Sequence, residues 1–190
     1  MLGSYPGDVV RVQRAQPKFN MLAWLNGRAA DLSIELNENI IMELDSKKKG
    51  NLTEMQCMSA FMAQNCGVCI PFGDNSKYDF IADIDGHLYK IQVKTASVTK
   101  QDPNAIRFSC RSTHLNCKGV QNVRYTKEDI DYFATYFDNQ CYLVPIAECS
   151  VEKVLRFSPP RSGQQKGITY AAEYALEKQL THIRGEVVEH

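Results

Sequence analysis

Between Phe72 and Ser97 the chain reads FGDNSKYDFIADIDGHLYKIQVKTAS. Two runs of strand-forming residues flank Asp85-Gly86, a pair suited to a tight hairpin turn. Alternation puts Tyr89, Ile91 and Val93 on one face of the second strand, and Lys90, Gln92 and Lys94 on the other. In the first strand Tyr78, Phe80 and Ala82 share a face, and Asp79, Ile81 and Asp83 share the opposite one. A hairpin folded on Asp85-Gly86 lays Asp79 beside the Gln92–Lys94 segment. Such a stripe is either the solvated face of an edge hairpin or a group that does chemistry. Hard divalent ions such as magnesium take oxygen ligands from one or two carboxylates, with waters and phosphate oxygens completing the shell. An ammonium beside them can orient an attacking water and offset charge on a phosphoryl group.

A second acid lies upstream. The spacing predicts a helix starting near Asn51, after a basic loop Ser46-Lys-Lys-Lys-Gly-Asn51, with Met55, Met58, Phe61 and Met62 as its apolar residues and Gly67 ending it. At about 100° per residue, Glu54 falls between Phe61 and Met58, inside that apolar arc. Its carboxylate then points toward a sheet or lies at the margin of the buried surface. The competing assignment is a capping box, with Asn51 as cap and Glu54 reaching back to it.

The elements that must position these residues follow in order. Val68 to Phe72, Tyr78 to Ile84, His87 to Ala96 and Ala105 to Arg111 read as strands. Thr126 is expected to cap a helix running to about Phe137. Cys141 to Ala147 is nearly all apolar, as in a strand covered on both faces. Val154 to Phe157 suits an edge strand, and Tyr170 to about Ile183 a terminal helix. Together they predict an α/β fold with a central mixed β-sheet flanked by helices. Residues 1 to 42, punctuated by Pro6, Gly7, Pro17 and Gly27 and mildly basic at Arg11, Arg14 and Lys18, read as an N-terminal arm on a domain of residues 43 to 190.

The chain has 190 residues, enough for one sizeable core, and 22 basic against 22 acidic residues, so bulk charge selects no partner. No apolar run reaches the ~20 residues of a membrane span. Seven cysteines without a secretion-type leader imply free thiols in a reducing, cytoplasmic setting. Cys66-Gly-Val-Cys69 with Cys110 and Cys117 has zinc-ligand residue types, but the second pair is too widely spaced for a zinc knuckle.

Glu54, Asp79 within KYDF, and Gln92-Val-Lys94 together resemble the PD-(D/E)XK nuclease superfamily. Within it, IPFGDNSKYDFIADIDGHLYKIQVKT is similar to the small endonucleases associated with group I introns, and more distantly to archaeal Holliday-junction resolvases. DYFATYFDNQCYLVPI resembles the same group, and the likeness covers about residues 43 to 150. The resemblance implies a restriction-endonuclease-like core and magnesium-dependent hydrolysis of a nucleic-acid phosphodiester, with manganese as an alternative ion. It implies Glu54, Asp79, Gln92 and Lys94 as catalytic residues, and Glu54, Asp79, Gln92 and the Val93 carbonyl as metal ligands. Two positions depart from the pattern. Tyr78 stands where the superfamily has proline, and Gln92 stands for the second acid, leaving one negative charge fewer.

Residues 100 to 127 carry Lys100, Arg107, Arg111, Lys118, Arg124 and Lys127 against a single acid, Asp102. Lys47, Lys48 and Lys49 precede the Glu54 helix, and Lys153, Arg156, Arg161 and Lys166 form another basic stretch. These surpluses suit contacts to a phosphate backbone. The expectation is an endonuclease cutting double-stranded DNA as a homodimer or homotetramer, since symmetric copies supply two cutting sites. Two alternatives stand beside it: a junction resolvase, and a non-catalytic DNA-binding or assembly module whose site is a relic.

Overall fold

The computed structural model describes residues 45–73, 75–116, 119–159 and 167–188, with side chains for all of these but 113–116, 119–122 and 186–188. The expected arm at 1–42, Lys118, Cys117, Arg161 and Lys166 lie outside the described residues.

The first helix among the described residues, α1, spans Ser46–Ala63 and starts five residues before the expected Asn51. Asp45 is the cap: its carboxylate accepts from the Lys48 backbone N–H at 2.9 Å. Lys47, Lys48 and Lys49 are therefore the first turn of the helix and not a loop. The capping box on Asn51 does not exist, because Asn51 lies inside the helix. The buried residues of α1 are Thr53, Cys57 and Phe61, while the expected core residues Met55 and Met62 are 66% and 63% exposed. Gln64 caps the C-terminus and Asn65 takes the left-handed conformation expected of Gly67.

Ten strands follow: β1 Gly67–Cys69, β2 Phe80–Ile84, β3 His87–Val93, β4 Ser97–Val98, β5 Ala105–Ser109, β6 Arg111–Asn116, β7 Gly119–Arg124, β8 Tyr132–Phe137, β9 Gln140–Pro145 and β10 Glu152–Arg156. The chain ends in a short 3-10 turn, Ala171–Tyr174, and helix α2, Leu176–Val188. A five-stranded sheet has the order β1-β2-β3-β8-β9. It is mixed: β3 pairs β8 in parallel, with Gln92 opposite Phe133, and its other pairings are antiparallel. β10, β5 and β4 form a second sheet, and β6 and β7 a separate two-stranded ribbon.

The β2–β3 hairpin turns at Asp85 and Gly86, both at positive φ, with Gly86 N–H donating to Asp83 Oδ1 at 2.8 Å. That is the geometry an Asp-Gly pair favours in a two-residue turn. Gly67 faces Asp83 across β1–β2, and a Cβ there would sit 3.0 Å from Asp83 Cβ, so the close approach needs glycine.

One expected element is replaced. Residues 126–137 are not a helix. Thr126 opens a single turn, with its own N–H bonded to Asp129 Oδ2 and its carbonyl accepting from Asp129 and Ile130. The chain then extends into β8. Phe133 faces one core and Ala134 the other, so both faces of this strand are covered and no period-two pattern survives in its sequence.

The helices cover one face of the main sheet. Cys57 and Phe61 of α1 and Leu176, Leu180 and Ile183 of α2 pack on Phe80, Ala82, Ile91, Val93 and Leu143. Phe61 meets Phe80 edge-on, at 5.3 Å between ring centroids. On the opposite face, Phe133, Tyr142 and Val144 pack on Ile106, Phe108 and Leu155 of the second sheet. No helix among the described residues is long and apolar enough to cross a membrane.

Candidate active site

The site forms where the β2–β3 hairpin stops pairing. The register runs from Ile84↔His87 to Phe80↔Ile91, so Asp79 falls level with Gln92 one step beyond the last pair. Asp79 N–H donates to the Ile91 carbonyl at 2.9 Å. The Val93 N–H bonds instead to a side chain, donating to Asp79 Oδ2 at 2.6 Å. Gln92 Nε2 donates to the same oxygen at 2.6 Å and to the Val93 carbonyl at 3.2 Å. One carboxylate oxygen thus accepts two N–H donors, and one amide NH2 bridges a carboxylate and a carbonyl.

Burial raises the Asp79 carboxyl above its ordinary value, against the lowering effects of the Val93 N–H, the Lys94 charge and the Gln92 amide. Desolvation therefore outweighs the bonds that favour the anion.

Glu54 enters from α1. It is half-buried, at the margin of the helix's packed face. Burial raises its carboxyl, the Asp79 charge raises it further, and Lys94 lowers it. Glu54 therefore lies within the fields of both strand residues. Its neighbours fasten the helix to the strand. Thr53 Oγ1 donates to the Lys49 carbonyl at 2.8 Å, so across the 3.2 Å contact to Thr95 it is the acceptor. Thr95 directly follows Lys94, and Thr53 directly precedes Glu54.

Lys94 continues β3 past its last paired residue. Its backbone N–H donates to the Ala134 carbonyl at 2.9 Å, and its Nζ donates to the Tyr125 hydroxyl at 3.2 Å. Neither Tyr125 nor the Thr53–Thr95 bond was signalled by sequence, since each joins residues far apart in the chain.

The donor set suits a hard cation. Asp79, Glu54, the Val93 carbonyl and the Gln92 amide oxygen are the oxygen ligands magnesium takes. Among the described residues no group of three His, Cys, Asp or Glu side chains could hold a metal. The third and fourth oxygens here come from an amide and the backbone. The Gln92 NH2 donates to the Asp79 and Val93 oxygens, which a cation would otherwise join. To ligate through its oxygen, the Gln92 amide must turn over.

The expected basic residues divide into two groups. Lys47 and Lys48 are exposed and Lys49 partly so, with Lys48 Nζ 3.4 Å from Asp45. Lys100 is exposed between β4 and β5, and Arg107 on β5 lies 3.7 Å from Glu152. Arg111 and Arg124 pair across the base of the β6–β7 ribbon. The stretch from 153 contributes less than expected. Lys153 is 7% exposed and bonded to Glu148 and Tyr174, and Arg156 is paired with Asp102. Of the cysteines with zinc-ligand types, Cys66 is buried with the main core, Cys69 is exposed on β1, and Cys110 belongs to the second core.

The mixed sheet and its helices form an α/β core. The sequence pattern of PD-(D/E)XK endonucleases matches residues 44–177, and the chain belongs to that family. Its fold is similar to that of a bacterial homing endonuclease, I-Ssp6803I. The TM-score is 0.63 at 22% sequence identity, over 77% of this chain and 99% of that one. No curated protein matches the chain.

Raised carboxyls make a pH prediction. An acid whose value is raised by folding costs nothing below its unfolded value, and its full penalty is present above its folded value. Glu54 therefore destabilises the metal-free protein increasingly as pH rises from about 4 through its raised range. Glu54→Gln should gain thermal stability relative to wild type over that rise. Melting curves at stepped pH check this, and a difference that stays flat with pH contradicts it.

Proposed function

We propose that this chain is a divalent-metal-dependent, homing-type endonuclease that hydrolyses phosphodiester bonds of double-stranded DNA. The proposal is supported by the Gln92–Asp79 bond at the open end of one hairpin, with Lys94 next along the same strand and Glu54 on α1 within the field of Asp79 and Lys94, in a chain of the endonuclease family. Glu54, Asp79, the Gln92 amide oxygen and the Val93 carbonyl would hold the ion, magnesium or manganese. When bound, the ion supplies Lewis-acid charge to the scissile phosphate. The Val93 N–H, donating to Asp79 Oδ2, fixes the Asp79 carboxylate. Glu54 contributes the other negative charge that attracts the cation. The Lys94 ammonium orients the attacking water and offsets charge that develops on the phosphoryl oxygens.

In this proposal the DNA lies along Lys47, Lys48, Lys49, Lys100, Arg107, Arg111, Lys118 and Arg124. The β6–β7 ribbon has the width of an element the major groove admits. Residues 1–42 act as an additional arm, and a homodimer or homotetramer supplies the second cutting site. Six free thiols among the described residues suit a reducing cytoplasm.

A second proposal has its own observation. Gln92 brings no charge, and its NH2 donates to the oxygens a metal would use. That favours a DNA-binding module with a relic site if cleavage is absent. Lys94→Ala decides between them. It should lower the cleavage rate about 100- to 1000-fold. DNA binding, measured in calcium, should stay nearly intact. Full cleavage by Lys94→Ala excludes this hairpin as the active site. Specific binding without cleavage by the wild type, in magnesium and in manganese, selects the relic. Four-way junctions cut in preference to linear duplex would make it a resolvase.

Neutralising Arg107 and Arg111 together should weaken binding across many DNA sequences and flatten its salt dependence, the slope falling by about 1 for each phosphate left without its cation. Affinity measured between low and physiological salt reads this. An unchanged slope removes that surface from the DNA path.

A further inference from the structure

We infer that Tyr125 is a positioning residue for Lys94, linking the β6–β7 ribbon to the site; this rests on the nuclease proposal above. Lys94 Nζ lies 3.2 Å from the Tyr125 hydroxyl and 5.0 Å from the centre of its ring. An ammonium has donors and no acceptor, so the hydroxyl accepts. One ammonium hydrogen is thereby committed, leaving the others for the carboxylates and for water. The flexible four-carbon stem of a lysine does not by itself fix the direction of its charge. A fixed acceptor supplies that direction.

Tyr125 is a rigid acceptor because both its ring and its backbone are held. Its ring stands edge-on to Phe133, with centroids 5.4 Å apart and planes at 88°. Phe133 is 1% exposed, packs on Phe108, and is the β8 residue paired with Gln92. The tyrosine is thus braced against the strand beside the candidate ligands. Downstream, Thr126 and Asp129 close a bonded turn, and Lys77 clamps Asp129 at 2.7 Å. Upstream, Arg124 pairs with Arg111 at the base of the ribbon. Tyr125 is the single residue between the ribbon and that clamped turn.

Tyr125→Phe keeps the ring and its packing and removes only the hydroxyl. The expected result is a single-turnover cleavage rate about tenfold lower. Affinity for DNA in calcium should stay within about twofold and the thermal midpoint should hold. Because Tyr125 acts through Lys94, the same change made in Lys94→Ala should lower the residual rate no further. A lysine side-chain NMR signal, assigned by its loss in Lys94→Arg, reads the contact without cleavage. It should be visible in wild type and exchange-broadened in Tyr125→Phe. Unchanged cleavage by Tyr125→Phe, a loss of affinity in place of rate, or independent effects in the double variant each overturn the inference. So does a Lys94 signal absent from wild type or unaffected by Tyr125→Phe. If the wild type cuts nothing, the nuclease proposal fails, and the NMR signal alone still decides whether Tyr125 holds Lys94.

Discussion

The site depends on one hydrogen bond, from the Val93 N–H to Asp79 Oδ2. An inner strand whose neighbour ends must still satisfy its backbone N–H, since leaving a buried donor unpaired costs about 1–3 kcal/mol. Here a carboxylate takes that place, and the Gln92 amide joins it on the same oxygen. The acid is thereby fixed at the sheet's open end, with the Val93 carbonyl beside it and Lys94 one residue further along. One side chain meets the fold's local need for an acceptor and would meet the proposed chemistry's need for a fixed carboxylate.

Around that bond the molecule gathers charges that do not favour its metal-free fold. Burial raises both Glu54 and Asp79, and the Asp79 charge raises Glu54 further. Such an arrangement persists only because other contacts oppose it. The packing of Phe61 on Phe80 holds α1 against β2, and the Thr95-to-Thr53 bond ties α1 to the segment that follows β3. Raised values of this kind are common at functional sites, and they fit the cation proposed above. The second core, built on Phe133 and Phe108, holds the other side of the site through Tyr125.

Local chemistry made the hairpin legible in the sequence. Asp85-Gly86 encodes its turn, and a two-residue turn fixes the register that brings Asp79 level with Gln92. The mixed sheet with flanking helices was legible from its apolar runs, and the family from Glu54, Asp79 and Gln92-Val-Lys94. The start of α1 was obscured because three lysines and Gly50 read as a loop, while the actual cap, Asp45, lies just before them. β8 was obscured because its covered faces erase alternation and Thr126 begins like a helix. The β6–β7 ribbon has no apolar period to reveal it, and the Lys94–Tyr125 and Thr53–Thr95 contacts are tertiary. The candidate site residues left local traces, whereas the tertiary contacts around them did not.

The central claim is that Glu54, Asp79, Gln92 and the Val93 carbonyl surround one divalent cation. Anomalous diffraction from crystals grown with manganese tests it most directly. One strong peak should lie within coordinating distance, about 2.0–2.3 Å, of Asp79 and the Val93 carbonyl, with Glu54 joined directly or through water and the Gln92 amide turned to present its oxygen. A protein that stays metal-free in saturating manganese, with the Gln92 NH2 still bonded to Asp79, or a peak bound elsewhere, would contradict the account.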